Sequence, residues 1–537
     1  MSGLKKSNIP TTVFPGDKTS KHVEHPVDST RRSSEPQVVD EDEGDFAEKK
    51  VVVVTFEEND PENPENWSKG RKWLTTILLC LMTLFIGLAT SAYSVGINDM
   101  TEEFGVSSEV GQVGMFVFNA SFAIVPLFLA PLSEYVGRNP IYLINYACFV
   151  AFFFQLGFAK NIWTAIIGRF FSGCFGAAGT TMVGGTLSDI WKTHERAGPM
   201  SCFTWAAVFG TIAAPIYSGW IDLNLGWRWI EWVQLIANFI LLVAECFLLK
   251  ETRGSVILAR RAKKMREVTG DDSYRAPSEL EADSFKSLVH ASSTRAFMLL
   301  IKEPVVLFFS IWISFAWGII FLFFSVIPLS FENHHGWNVG QQGYPYISLA
   351  VGTFLGFAFN FIQDRLYQRA TAKNGGVPVP EARLYGSLIG SVLLPVGMFW
   401  YGWTQFSYIH YIVPIIALTP IILGIYHIFL AVYNYLADSY GEFASSAVAA
   451  QGFMRNMFAA SFPLFASYMF NGMGYQWACT LLALIATVCI PLPYVLFFYG
   501  KSIRARSAYA SSQTGIQQQV DVEQVEQSEQ VSKASTN

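Results

Sequence analysis

The stretch PLSEYVGRNP, Pro131–Pro140, divides GQVGMFVFNASFAIVPLFLA (residues 111–130) from IYLINYACFVAFFFQLGFA (residues 141–159). Each flanking run is about as long as the twenty residues needed to cross the hydrocarbon core of a bilayer. The stretch itself holds a glutamate and an arginine, Glu134 and Arg138. Charges are costly inside hydrocarbon, so this decapeptide reads as a short turn at a membrane face between two spans. Gly137 permits a tight turn, and Pro140 suits the opening of the next helix.

Composition extends this local reading to the whole chain. The 537 residues are 51% hydrophobic and 15% charged, with 45 Phe and 15 Trp. A soluble chain usually carries about 25% charged residues. The charges concentrate in the first seventy residues, in 250–303 and in the last forty. A soluble protein with this pattern would need many core helices lacking any polar face, so the chain reads as a polytopic membrane protein. The seven cysteines all fall inside apolar runs, without metal-site spacing, and no disulfide framework is implied. The polar N-terminus does not resemble a cleavable signal, which leaves the first span to target the membrane.

Twelve spans are expected: 73–97, 110–132, 140–159, 162–187, 198–221, 229–249, 304–329, 343–363, 384–404, 411–436, 447–470 and 475–498. The expected fold is an all-α membrane protein of two six-helix halves, 73–249 and 304–498, joined by a loop over 250–303. Within that loop ARRAKKMRE reads as a helix lying on the membrane surface. Residues 1–72 form a tail, of which 1–65 are too polar and acidic to bury a core. In it RRSSEP (Arg31–Pro36) is a phosphorylation-site pattern. The tail over 499–537 is rich in Gln, Ser and Glu and reads as flexible from Lys501 onward. Placing both termini in the cytoplasm puts Arg138, Lys192, Arg196, Arg365, Arg369, Lys373 and Arg383 inside, and chiefly Lys160 and Arg228 outside. That asymmetry obeys the positive-inside rule.

Glu134 and Arg138 alone are equally compatible with a topology anchor and with a gate. The twelve-span layout around this turn resembles the major facilitator superfamily. Leu132, Glu134, Gly137 and Arg138 match its signature, whereas Ala130, Tyr135 and Asn139 depart from it. The resemblance implies that Glu134, Gly137 and Arg138 belong to a cytoplasmic gate. Glu134 would then face the start of span 11 near 439–446, where a helix N-terminus favours a carboxylate.

Other polar residues stand out within the apolar runs. Arg169 in span 4 must face a cavity or a partner, or else snorkel to an interface. The small residues Gly173, Gly176, Ala177 and Gly179 that follow allow close helix approach. The resemblance ties this arginine to proton coupling. Gly210, Pro215 and Gly219 in span 5 resemble the antiporter motif of drug exporters, with Ala214 and Ser218 replacing glycines; a plain proline kink is the alternative. In span 6, Glu231 and Glu245 are proton-site candidates or else interfacial residues, and Gln234 and Asn238 accompany Glu231 at helical spacing. His427 is a proton site or a core histidine. Asn119, Tyr433, Asn434, Gln451 and Arg455 are candidates for a substrate cavity.

Further phrases, NPENWSKGRKW (63–73), LGWRWIEW (225–232), KETRGSVILARRAKKMR (250–266), PEARLYGS (380–387) and YNYLADSYGEFASSAVAA (433–450), resemble the fungal twelve-span drug:proton antiporter branch, particularly its polyamine-transporter-like members. The resemblance implies a proton-coupled exporter of a drug, polyamine, organic acid or secondary metabolite. It also implies a plasma-membrane location, with the vacuolar membrane as an equivalent topology. The expected partners are a small-molecule substrate, protons and membrane lipid, with no nucleic acid and no cofactor, and the expected working unit is a monomer. Proton-coupled import is the rival reading, although a Pro-Glu-Ser-Pro-Arg run after span 6 is missing. A non-transporting receptor is a third reading. No nucleotide loop, metal cluster or catalytic triad supports an enzyme.

Overall fold

The computed structural model describes residues 51–57, 59–192, 195–280, 285–507 and 509–510. Among the described residues, ten helices are long and apolar enough to cross a membrane: Lys69–Val95, Ser108–Leu129, Arg138–Gly157, Ala197–Leu225, Trp227–Leu248, Pro304–His335, Gln341–Lys373, Pro380–Gly402, Ile412–Tyr440 and Tyr475–Arg504. These are spans 1, 2, 3, 5, 6, 7, 8, 9, 10 and 12 of the sequence reading. The remaining two are helical for different reasons. Span 4 is broken into Ile162–Gly176, Ala178–Thr181 and Val183–Ile190. At the break the Thr83 hydroxyl of span 1 donates to the Gly179 carbonyl at 2.8 Å, and Gly179 lies against Met82 and Ile86. Span 11 is one helix, Ala444–Met473, whose apolar character is diluted by Gln451, Arg455 and Asn456. Spans 2 and 5 pause where Pro126 and Pro215 cannot donate to the preceding turn.

Outward-facing positions are large and apolar: Trp163, Phe247, Ile240, Ile389, Val488 and Phe498 are all exposed. In water this would be a liability, but it is the surface that lipid requires. Helices meet through small residues. At the crossing of spans 1 and 5, a Cβ on Gly210 would sit 2.6 Å from the Leu84 carbonyl oxygen, and one on Gly87 would sit 2.8 Å from the Gly210 carbonyl carbon. Only hydrogen fits there. Spans 1–6 meet spans 7–12 along two seams. In one, Asn456 of span 11 donates to the Phe122 carbonyl of span 2 at 3.1 Å, and Gln112 of span 2 reaches Ser325 of span 7 at 3.4 Å. In the other, Trp205 of span 5 lies 5.1 Å from Phe354 of span 8, and Asn360 donates to the Ser201 hydroxyl.

Three expectations for the polar segments change. Residues 51–57 are not featureless: Val52–Val53 pairs in parallel with Tyr274–Arg275 of the central loop. With 258–280 they form a separate compact unit. The basic helix Gly254–Thr269 exists, but its buried residues Leu258 and Ala262 pack with Val54 and Ala276. That apolar face is therefore covered by protein. Arg266 braces the same unit by donating twice to Glu279, which holds the Glu279 carboxyl down to about 2. At the other end, span 12 continues as helix to Arg504, where Arg504 pairs with Glu381 and donates to the Tyr435 hydroxyl at 3.0 Å. RRSSEP and most of both tails lie outside the described residues.

The crossing at Gly210 gives a direct test. Gly210→Val should destabilise the purified protein by about 1–3 kcal/mol through overpacking. Gly198→Ala, where a Cβ meets nothing within 4 Å, should stay within about 0.5 kcal/mol of the parent. Thermal unfolding in detergent reads both.

Candidate functional site

The turn that opened the sequence reading is built around Arg138, but its acidic partner is not Glu134. Gly137 takes φ +110° and ends one helix as the next begins at Arg138. Four-residue spacing places side chains on one face only within a continuous helix. Here the break separates them, leaving Glu134 exposed while Arg138 is buried. Arg138 Nε donates to Asp189 Oδ2 at 3.1 Å, and Nη1 donates to the Ser133 hydroxyl at 3.1 Å. Asp189 ends span 4 and also accepts from Arg253 at 3.2 Å. Glu251, just past span 6, accepts from the backbone N–H groups of Arg138 at 3.0 Å and Arg253 at 2.9 Å. Its carboxylate thus lies on the N-terminus of span 3, where the helix dipole favours it. A side chain at Gly137 would run into that carboxylate. The result is a clamp binding spans 3 and 4 to the start of the central loop.

The second half repeats the plan. Arg383, ahead of span 9, donates to Asp438 near the end of span 10 at 2.7 Å, and Tyr367 donates to the same oxygen at 3.0 Å. The Arg383 guanidinium lies 3.4 Å from the Tyr367 ring centroid. Asp189 and Glu251 were not singled out from the sequence. The signal for Asp189 was available in the internal repeat: an aspartate closes both span 4 (LSDIW) and span 10 (LADSY).

Arg169 does not snorkel. Its side chain is enclosed, with Nη1 donating to the Ala89 carbonyl at 3.1 Å and Nη2 to the Thr90 carbonyl at 3.4 Å. The guanidinium carbon lies 4.0 Å from the Phe118 ring centroid and 4.4 Å from that of Tyr93. Rings and carbonyls supply the compensation that water cannot. Glu231 of span 6 is buried and interacts electrostatically with Arg169 and Tyr93. Asn119 is buried nearby on span 2 and is satisfied within its own helix by the Met115 carbonyl at 2.9 Å. Below Glu231 runs a polar chain. Gln234 donates to the Tyr217 hydroxyl at 2.6 Å, Asn238 to Gln234 Oε1 at 3.3 Å, and Tyr146 to Asn238 Oδ1 at 2.8 Å.

Arg455 occupies the corresponding region of the second half. It donates to the Tyr433 hydroxyl at 3.1 Å and faces the rings of Trp317, Phe429 and Tyr433, with the first two centroids at 5.2 Å. It makes no ion pair among the described residues. Gln451 is fully buried with neither amide atom partnered, and Asn434 is half-buried. His427 is not part of this group. It is buried against Gly386 and Gly390 of span 9, near Gln363, with Nδ1 unpartnered. In span 5, Gly210 serves the crossing with span 1, whereas the Pro215 carbonyl meets Gly343 in the first turn of span 8 and Gly219 meets the Val339 carbonyl just ahead of it. Asp222, close by on span 5, was missed from the sequence; it is buried with both carboxylate oxygens unpartnered. Among the described residues no cluster of His, Cys, Asp and Glu has metal-site geometry.

The clamp separates two carboxylates, Asp189 within it and Glu134 outside it. Removing one partner of a buried ion pair costs about 3–5 kcal/mol, less where the pair is partly wet. Asp189→Asn should lower the unfolding temperature measurably, and Glu134→Gln should leave it within the scatter of replicate melts.

Comparison with known proteins agrees with this architecture. Residues 79–463 match the Major Facilitator Superfamily. The chain is 36% identical over 473 residues to the "Major facilitator superfamily multidrug transporter mdrA" of Aspergillus fumigatus, covering 87% of this chain and 77% of that one. It is 38% identical over 469 residues to the "Multidrug transporter TPO1_2" of Candida glabrata, covering 87% and 81%. It is 34% identical over 455 residues to the "Ascochitine biosynthesis cluster MFS transporter" of Didymella fabae, covering 84% and 88%. With a helical bundle of this kind and relatives named as transporters rather than enzymes, the chain is a multi-pass membrane transporter and belongs to the major facilitator superfamily.

Proposed function

We propose that the chain exports a small organic molecule in exchange for protons, by alternating access between its two halves. The observation that carries this reading is the buried group Arg169, Tyr93 and Glu231. A carboxyl enclosed beside a cation, with no ion pair to fix its charge, has two protonation states whose balance depends on what else occupies the site. A proton and a cargo molecule can therefore exclude one another there, which is the requirement for antiport. Arg455, Tyr433, Asn434 and Gln451 supply the other wall of the cargo site. Its ring-lined cation suits an amphiphilic or aromatic molecule better than a polyamine, which would need several carboxylates. The relatives' names, which speak of multidrug transport and of a biosynthesis cluster, support a drug or secondary metabolite as cargo. The distribution of Lys and Arg supports cytoplasmic termini. The proposed location is the plasma membrane, with the vacuolar membrane as the topological equivalent, and the proposed working unit is the monomer.

The test is untargeted mass spectrometry of medium and cell extract from parent and deletion strains. Export predicts a compound depleted from the medium and accumulated in deletion cells, restored by the parent gene but not by Glu231→Gln. For the restored compound, efflux should drop about tenfold or more when a protonophore collapses the gradient, since a gradient of one pH unit is worth a factor of ten. A compound that instead stays in the medium and falls inside the deletion strain would make the protein an importer.

A further inference from the structure

Two buried acids near helix ends have no place in the cargo site. Glu245, six residues before Glu251 near the end of span 6, has no hydrogen-bond partner on either carboxylate oxygen. Glu303 is the opposite case. It stands between a helix of the central loop, Phe285–Lys302, and span 7, which begins at Pro304. Its exposure is 3%, and its Oε2 accepts from two hydroxyls. Tyr440, the last residue of span 10, donates at 3.2 Å. Ser507, three residues past the end of span 12, donates at 2.8 Å. One carboxylate oxygen thus joins three segments that are far apart in the chain.

The segment around Ser507 is held at further points. The Ser507 N–H donates to the Arg504 carbonyl at 3.0 Å, which turns the chain back past the last turn of span 12. Ser507 Oγ also accepts from the Ala510 N–H at 3.0 Å. The Tyr509 ring meets the Phe443 ring edge-on with 5.4 Å between centroids, and its hydroxyl lies 3.0 Å from Met298 Sδ in the loop helix. Ser507, Tyr509 and Ala510 therefore form a clasp over the joint between the central loop and the second half. Ser507 is the point where this clasp meets a buried charge. Arginines stand one and three residues before it, Arg506 and Arg504. Protein kinases that line their substrate groove with carboxylates bind arginines at such positions as bidentate pairs. Arg506 is exposed, whereas Arg504 is held by Glu381 and the Tyr435 hydroxyl. A kinase must therefore take the serine from the opened clasp, and segments near a chain end open most readily.

We propose that Ser507 is a phosphorylation site for an arginine-directed protein kinase, and that the phosphoryl group keeps the clasp off Glu303. In the transfer, Ser507 Oγ bonds the γ-phosphorus of ATP, the bond from that phosphorus to the β–γ bridging oxygen breaks, ADP leaves and the hydroxyl proton passes to the kinase's base. The product fixes the direction. A hydroxyl both donates and accepts, whereas a phosphate dianion only accepts. It can still take the Ala510 N–H, but it loses the bond to Glu303, where two anions would meet at a buried oxygen. One ring contact and one sulfur contact are too weak to hold that juxtaposition. Tyr440 keeps its own bond to Glu303, so release is confined to the clasp and the surfaces under it, the loop helix at Met298 and the turn at Phe443. Access of a kinase in the cell rests on the cytoplasmic placement proposed for the tail; the chemistry of the clasp does not.

The experiment treats the purified full-length protein in detergent with ATP and the catalytic subunit of cyclic-AMP-dependent protein kinase. Peptide mass spectrometry reads the site, and hydrogen–deuterium exchange at 297–302 and 441–446 reads the release. Phosphate is expected on Ser507, and its absence there overturns the site. Phosphorylated parent should exchange about tenfold faster at both segments than the unmodified protein, equivalent to about 1.4 kcal/mol. Ser507→Ala should exchange equally with and without the kinase. Unchanged or slower exchange of the phosphorylated parent, as when Lys302 or Arg506 captures the phosphate, overturns the release. Glu303→Gln keeps an acceptor for both hydroxyls without the charge, so phosphorylation there should raise exchange by about threefold or less. A rise equal to the parent's overturns the charge mechanism. Should Glu303→Gln not fold, Ser507→Glu is compared with Ser507→Gln: the anion must exchange faster, and equal rates overturn the proposal. No transport is measured, so failure of proton-coupled export leaves this outcome unchanged and is told apart from it.

Discussion

A guanidinium withdrawn from water has to find its compensation within the protein, and four arginines in this structure meet that demand in two ways. Arg138 and Arg383 stand at the ends of the bundle, each held by an aspartate. Arg169 and Arg455 lie inside it without an ion pair among the described residues, supported by carbonyls, a hydroxyl and aromatic faces. The division has a mechanical consequence. An arginine committed to a nearby carboxylate is a strut. One held only by rings and carbonyls keeps an electrostatic demand that a mobile species can meet. Glu231 and the proposed cargo site stand around the second kind.

The same constraint accounts for what could be read from the sequence. Apolar runs of membrane-crossing length are legible because lipid leaves little alternative to a helix. Span 4 lost its continuity to a contact that no run of residues announces, a threonine of span 1 taking the Gly179 carbonyl. Arg169, Glu231 and Arg455 were conspicuous because charge in an apolar run is conspicuous. Their partners were not, since Ala89, Phe118 and Phe429 look like any other core residue. Glu134 and Arg138 have helical spacing, yet Gly137 interrupts the helix between them, so the two do not share a face. Asp189, which does the work with Glu251, looks like an ordinary loop-proximal acid until span 4 is set beside span 10.

That comparison shows an architecture of repeated halves with unequal furnishing. Each half closes one end with an arginine and an aspartate, and adds a group at the end of its last span or just past it, Glu251 in one case and Arg504 in the other. The third groups have opposite charge. Glu251 acts on backbone N–H groups at the start of span 3 and in the loop, whereas Arg504 acts on the Glu381 side chain. Of the two layers above these clamps, the first half holds an unpartnered acid, Glu245, and the second a histidine wedged against glycines, His427.

The parallel pairing of Val52–Val53 with Tyr274–Arg275 also carries information about synthesis. These partners flank all of the first six spans, so the pairing ties both ends of that half into one ring of chain. For a flexible chain of some two hundred residues, closure alone would cost about 5 kcal/mol. Two pairs of short β residues cannot supply that, so the spans between them must already be gathered. The strand therefore forms last, after the ribosome has released the central loop and the first half has packed.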